Sequence, residues 1–234
     1  RLYEIDTRLR PNGRSGLLVS SVQAFRQYQT EQAWTWEQQA LARARPIAGD
    51  IQIQSCFQRL RQELLQQPRD LGTLKADFIN MRSKLRQAHA QESQAAGKHG
   101  LTTSNFPLAQ RPLSPAYLKH GPGGLLDIQF LIQYWQLALS HLCPELSQHQ
   151  HSVDILKTLQ HNCSLEIPFD SQTLRQAWES LSAIQHQLCL IGTRAPIKPA
   201  PGIANFANMS ATLNDATSFA QQCYQASFDA AKQD

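Results

Sequence analysis

The chain has 234 residues, 22 Lys and Arg against 18 Asp and Glu, and a formal net charge of +4. That is enough chain for a core in one or two domains. The cationic excess is small and scattered, with no basic stripe or aromatic stacking motif, which argues against nucleic-acid binding. No apolar run approaches the roughly 20 residues of a membrane span and the first residues are charged, so the expectation is a cytoplasmic protein without a membrane partner.

At the start, Leu2, Ile5 and Leu9 interleave with Glu4, Asp6, Arg8 and Arg10. A period near two predicts a strand with its charges on one face, ended by Pro11 and Gly13. One carboxylate among cations beside a glycine turn reads as phosphate chemistry. Asp6 is the candidate carboxylate, and Arg8 and Arg10 can grip phosphate oxygens bidentately, although pairing with Glu4 or Glu37 competes with that use. Leu17-Leu18-Val19 reads as a second short strand, and Ser20-x-x-Gln23 has the form of a capping box opening a helix that buries Val22, Phe25 and Tyr28. Thr35 to Arg45 spaces Trp36, Ala40 and Ala44 by four residues, predicting a second helix with Glu37 and Arg43 on its other face and Pro46 at its end.

From about Ile51 helical periodicity takes over, in Cys56-Phe57-Leu60-Leu64, in Leu74-Phe78-Met81-Leu85, and from Leu125 to Leu142. Loops are expected over about 95–115 and 196–202. A last helix should place Leu213, Ala216, Ala220, Tyr224 and Phe228 on the bundle. Gly121-Pro122-Gly123-Gly124 enters the helix near Leu125, a place where an anion is favoured, so Gly123 and Gly124 join the phosphate-binding candidates. Asp127, in its first turn, either faces a ligand cleft or caps the helix. The cysteines, five in number and scattered without a Cys-x-x-Cys pair, read as reduced. His149, His151, His161 and Cys163 lack structural-zinc spacing.

Tyr3-Glu4-Ile5-Asp6-Thr7-Arg8-Leu9-Arg10-Pro11, then Glu31-Gln32-Ala33-Trp34-Thr35-Trp36-Glu37 and Gln39-Ala40-Leu41-Ala42-Arg43-Ala44-Arg45, resemble the glutamine synthetase adenylyltransferase family. Gly123-Gly124-Leu125-Leu126-Asp127-Ile128-Gln129-Phe130 resembles the Gly-Gly-x-x-Asp-Ile-Glu-Phe motif of that family's helical domain, with Gln129 where the pattern has Glu. The Ala33-Trp34-Thr35-Trp36-Glu37 wording is closer to the adenylylating half than to the adenylyl-removing half.

The resemblance implies a mainly α chain: a truncated α/β nucleotidyltransferase remnant over 1–48, followed by a C-terminal helical bundle domain over 49–234. It implies transfer of AMP from ATP to a tyrosine of glutamine synthetase, Mg²⁺ as metal, glutamine as effector and a PII-type signal protein as regulator. In the DNA polymerase β-like superfamily three carboxylates hold two metals, and Asp6 matches the third. The Gly-Ser turn and Asp-x-Asp strand that supply the others do not precede it here, so this stretch is expected to be a fragment that does not catalyse alone. The alternatives are the adenylyl-removing half and a non-catalytic helical module that docks glutamine synthetase or the regulator.

Overall fold

The computed structural model describes residue 7 and residues 10–95, 115–162, 166–190 and 206–228. Asp6 and Arg8, most of the first expected strand, Cys163, and the expected loops over 95–115 and 196–202 lie wholly or almost wholly outside them. The chain is mainly α, and among the described residues there is no strand. Leu17-Leu18-Val19, expected as a strand, instead follows a 3-10 turn at Gly13–Ser15 as irregular backbone with all three side chains exposed. β-branched and aliphatic residues favour strands only where a neighbouring strand and a packing face exist, and the described residues provide neither.

The helices are α1 (Val22–Glu31), α2 (Thr35–Arg43), α3 (Ile51–Leu65), α4 (Leu71–Ala95), α5 (Pro115–His120), α6 (Leu125–Leu139), α7 (Ser152–His161), α8 (Ser171–Leu190) and α9 (Phe206–Phe228). Four of their starts, those of α1, α3, α4 and α8, are set by short polar side chains accepting from the first free N–H groups: Ser21 from Ala24, Asp50 from Gln52, Asp70 from Thr73 and Asp170 from Thr173. The cap of α1 is thus Ser21, one residue beyond the expected Ser20. Its inner face also differs, since Val22 is exposed and Gln29 is buried.

Helix α6 is the hub, contacting α2, α4, α5, α7, α8 and α9. It is apolar on almost every side, as a helix surrounded by others must be. Ile128, Leu131, Ile132 and Leu137 are fully buried, and Phe130 and Tyr134 meet Phe78 of α4 edge-on at 5.9 and 5.6 Å. On α9, Leu213, Ala216, Ala220 and Phe228 are buried against this core, as their spacing predicts. A smaller cluster joins Leu41 of α2 to Leu60 and Leu64 of α3, with Phe25 of α1 packed on it.

Two arginines fix α2. Arg61, fully buried, donates to the carbonyls of Leu41 (3.0 Å), Ala42, Ser147 (2.5 Å) and His149 (2.9 Å). Ala42 needs this donor because the residue four positions on, Pro46, has no N–H. Arg69 donates to Leu64, Leu65 and Leu137 carbonyls and to the Gln38 amide, tying α3 to α6 and α2. Burial lowers the pKa of each guanidinium to about 10, which leaves both charged at neutral pH.

Candidate functional site

Glycine at position 123 is required by its backbone, with φ +69, and by packing: a Cβ there would collide with the Thr217 carbonyl of α9 and stand 3.0 Å from the Gln221 nitrogen. A Cβ on Gly124 would stand 2.6 Å from the Leu118 carbonyl. The close approach that these glycines allow is therefore to α9 and α5. Their N–H groups are engaged, Gly123 to Asp127 Oδ2 at 2.8 Å and Gly124 to the Gly121 carbonyl at 2.9 Å.

Asp127 is buried and accepts from three donors. Arg82 Nε reaches Oδ1 at 2.5 Å, while Arg86 Nη2 and the Gly123 N–H share Oδ2, each at 2.8 Å. Arg82 is itself buried, donates to the His120 carbonyl at 3.1 Å, and stands 6.0 Å over the Phe130 ring. One carboxylate thus locks the start of α6 to the middle of α4. Beside it the His120 and His89 rings stack 3.7 Å apart. Burial, then the neighbouring His89, Lys119 and Arg82, lowers the His120 pKa to about 4, so its ring is neutral at pH 7.

Arg10 belongs to its own turn, donating from Nη1 to the Thr7 carbonyl at 2.6 Å and from Nε to the Gly16 carbonyl at 3.3 Å. Glu37, expected on the solvent face of α2, is buried. It accepts from the Tyr28 hydroxyl at 2.8 Å and reaches back to the Trp34 N–H at 2.9 Å, so it caps its own helix. Desolvation first, and then Glu37, raises the Tyr28 pKa.

On α6, Leu126, Gln129, Phe130 and Gln133 follow i, i+3, i+4, i+7 spacing and line a groove of about 530 Å³. Trp36, Gln39, Ala40 and Arg43 of α2 form one wall, with Met81 and Leu85 of α4 and Lys119 of α5 opposite. Gln39 Nε2 donates to Gln133 Oε1 at 2.6 Å and Thr35 bonds Asp77, so the α2 wall is pinned to both neighbours. The Gln129 amide oxygen, in the orientation its surroundings dictate, accepts from Arg43 Nη1 and from Nε at 3.2 Å. Sequence reasoning marked Gln129 but missed Arg43, Lys119 and Trp36 as a constellation, because they lie on three elements far apart in the chain.

Among the described residues no three His, Cys, Asp or Glu side chains converge as a metal would require. Asp127 is already held by two guanidinium groups. These described residues do not fit a two-metal centre; Asp6, the candidate ligand, lies outside them.

A family model described as glutamate-ammonia ligase adenylyltransferase matches residues 1–60, and one described as GlnD PII-uridylyltransferase matches residues 109–227. A bifunctional glutamine synthetase adenylyltransferase/adenylyl-removing enzyme from Nitrosomonas europaea is 40% identical over 195 residues, covering 83% of this chain and 19% of the relative. Like-named enzymes are 42% identical in Pseudomonas aeruginosa (81% of this chain, 18% of the relative) and 44% in Aromatoleum aromaticum (67% and 14%). The chain therefore spans less than a fifth of the length of these curated relatives.

Proposed function

Because the chain belongs to the glutamine synthetase adenylyltransferase family, we propose that it is part of an enzyme that transfers AMP from ATP to a tyrosine hydroxyl of glutamine synthetase, releasing pyrophosphate. Residues 1–48 end the nucleotidyltransferase domain and 49–234 form the helical domain that packs beside it. The observation carrying this reading is the paired family match, residues 1–60 to the adenylyltransferase model and 109–227 to a second nucleotidyltransferase model. The Ala33-Trp34-Thr35-Trp36-Glu37 stretch favours the adenylylating half.

In this reading Asp6 holds a divalent cation, Mg²⁺, and Arg8 and Arg10 steady phosphate oxygens. Gly123, Gly124 and Asp127 serve the nucleotide by fixing where α6 begins. Glutamine and a PII-type protein act as effector and regulator, and the reaction runs in the cytoplasm. Exchanging Asp6 for Asn in the full-length enzyme removes the charge and keeps the shape, so labelled AMP transfer to glutamine synthetase should fall by about 10³-fold or more. A variant retaining over a tenth of the rate overturns the metal-holding role. The 234-residue chain alone should transfer no AMP; transfer abolished by Asp6→Asn would place a whole active site within it.

A further inference from the structure

The groove between α2, α4 and α6 has an unusual charge balance for its size. Arg43 and Lys119 stand in its lining, and none of the residues that line it is acidic. Among the described residues neither cation meets a carboxylate: Arg43 is met by the neutral amide of Gln129, and Lys119 is exposed without an ion-pair partner. A guanidinium held by an amide keeps its full charge and retains N–H groups for another acceptor. Trp36, half-exposed, lines the same groove, and Met81, Leu85, Leu126 and Phe130 give it an apolar lining. The volume lies within the range of small-molecule sites. Arg61 and Arg69, the Gln39–Gln133 bond and the Thr35–Asp77 bond hold the helix that carries Arg43 and Trp36, so the position of that wall is set before a ligand arrives.

We propose that this groove, walled by α2 from residues 1–48 and by α4, α5 and α6 from residues 49–234, and not the Gly121–Gly124 loop, binds an anionic ligand with a flat ring, a nucleoside polyphosphate, its phosphates on Arg43 and Lys119 and its base against Trp36. The Gly123 and Gly124 N–H groups are engaged inside the protein and the Arg82 and Arg86 guanidinium groups are spent on Asp127, whereas the groove offers two cations without a carboxylate beside an aromatic ring. This rests on the reading that the enzyme uses ATP, and it assigns Gln129 a purpose: a neutral amide orients Arg43 without neutralising it.

The test uses the 234-residue chain, titrated with ATP, tripolyphosphate and adenosine by calorimetry and tryptophan fluorescence. ATP should bind more tightly than either part alone. Arg43→Gln with Lys119→Gln should weaken it tenfold or more, and Trp36→Ala should weaken ATP while sparing tripolyphosphate. The decisive variant is Gln129→Glu, which keeps the bond to Arg43 and the helix while adding one negative charge; about tenfold weaker ATP binding at unchanged circular dichroism is expected. ATP binding indifferent to Gln129→Glu and to the Arg43/Lys119 pair refutes the groove while leaving AMP transfer by the full-length enzyme untouched. Absence of ATP binding at millimolar concentration also refutes it. Loss of AMP transfer as the enzyme's activity would instead refute the parent reading, even if the groove bound ATP.

Discussion

Replacing Arg61 by Met keeps most of the side chain's volume and removes all of its N–H donors. Of the four carbonyls it serves, Leu41 still accepts from the Ala44 N–H and His149 from Gln136 Nε2. Ala42 and Ser147 lose the donor that buried them, and Ala42 cannot turn to its own helix because Pro46 stands four residues on. Each orphaned buried carbonyl costs about 1–3 kcal/mol. Against this, the variant no longer buries a guanidinium without a carboxylate, which returns part of the desolvation cost. The net loss should be about 2–4 kcal/mol, which for a domain of this size lowers Tm by roughly 5–15 °C. Urea titration should show a lower midpoint at unchanged slope, with Arg61→Lys between the two because an ammonium reaches fewer of the four carbonyls. A Met variant within about 0.5 kcal/mol of the parent would mean that the carbonyls find water and that α2 is held by apolar contacts alone.

The Asp127 cluster should behave as a buried pair. Asp127→Asn leaves Arg82 uncompensated and should cost about 3–5 kcal/mol, while Asp127→Leu combined with Arg82→Met should recover much of that; a double-mutant cycle with no coupling would refute the account. Gly123→Ala places a methyl on a backbone with φ +69 and drives it into Thr217, so Tm should fall by several degrees, whereas Gly72→Ala, with only the flexible Asp70 carboxylate nearby, should leave Tm within a degree or two or raise it. His120 is held neutral by the fold, with a pKa lowered to about 4. The unfolded chain therefore binds its proton first as pH falls, and stability is full above about pH 6.5 and declines from there toward pH 4. Because the ring is only half-buried the loss should be about 1–2 kcal/mol, read as a Tm difference between pH 7.5 and pH 5 that His120→Asn flattens; an equal difference in that variant would assign it to other groups.

The helices were legible because helix signals are local. Apolar spacing such as Leu213, Ala216, Ala220 and Phe228 is written within a few residues, and the structure uses it. The caps Asp50, Asp70 and Asp170 are equally local but were not singled out, and the expected cap Ser20 lies one residue before Ser21. What periodicity could not show was buried charge. Arg61, Arg82 and Asp127 are each inside because a partner distant in sequence completes them, as Ser147 does for Arg61 across 86 residues, while Glu37 is inside because Tyr28 and the Trp34 N–H complete it locally. A charge on a helix reads as solvated until that partner is known. Leu17-Leu18-Val19 failed for the converse reason: strand propensity is a statement about a neighbouring strand, and among the described residues none lies beside it.

The glycine run shows why a site is harder to read than a helix. Gly121, Gly123 and Gly124 let backbone approach backbone, and the sequence does not say whether the approaching group is a phosphate or another helix; here it is the Tyr117, Thr217 and Leu118 carbonyls. The anion signal lay five residues past the last of those carbonyl-packed glycines, in the one departure from the motif. A carboxylate at position 129 would pair with Arg43 and leave Lys119 as the groove's single uncompensated cation among the described residues, while the amide leaves two. Hydrogen-bond geometry is satisfied either way, so the substitution is silent in the fold and changes only the potential in the groove. That difference separates a residue that builds the site from one that sets what the site attracts, and it makes charge, more than shape, the variable by which relatives carrying Glu or Gln at this position should differ.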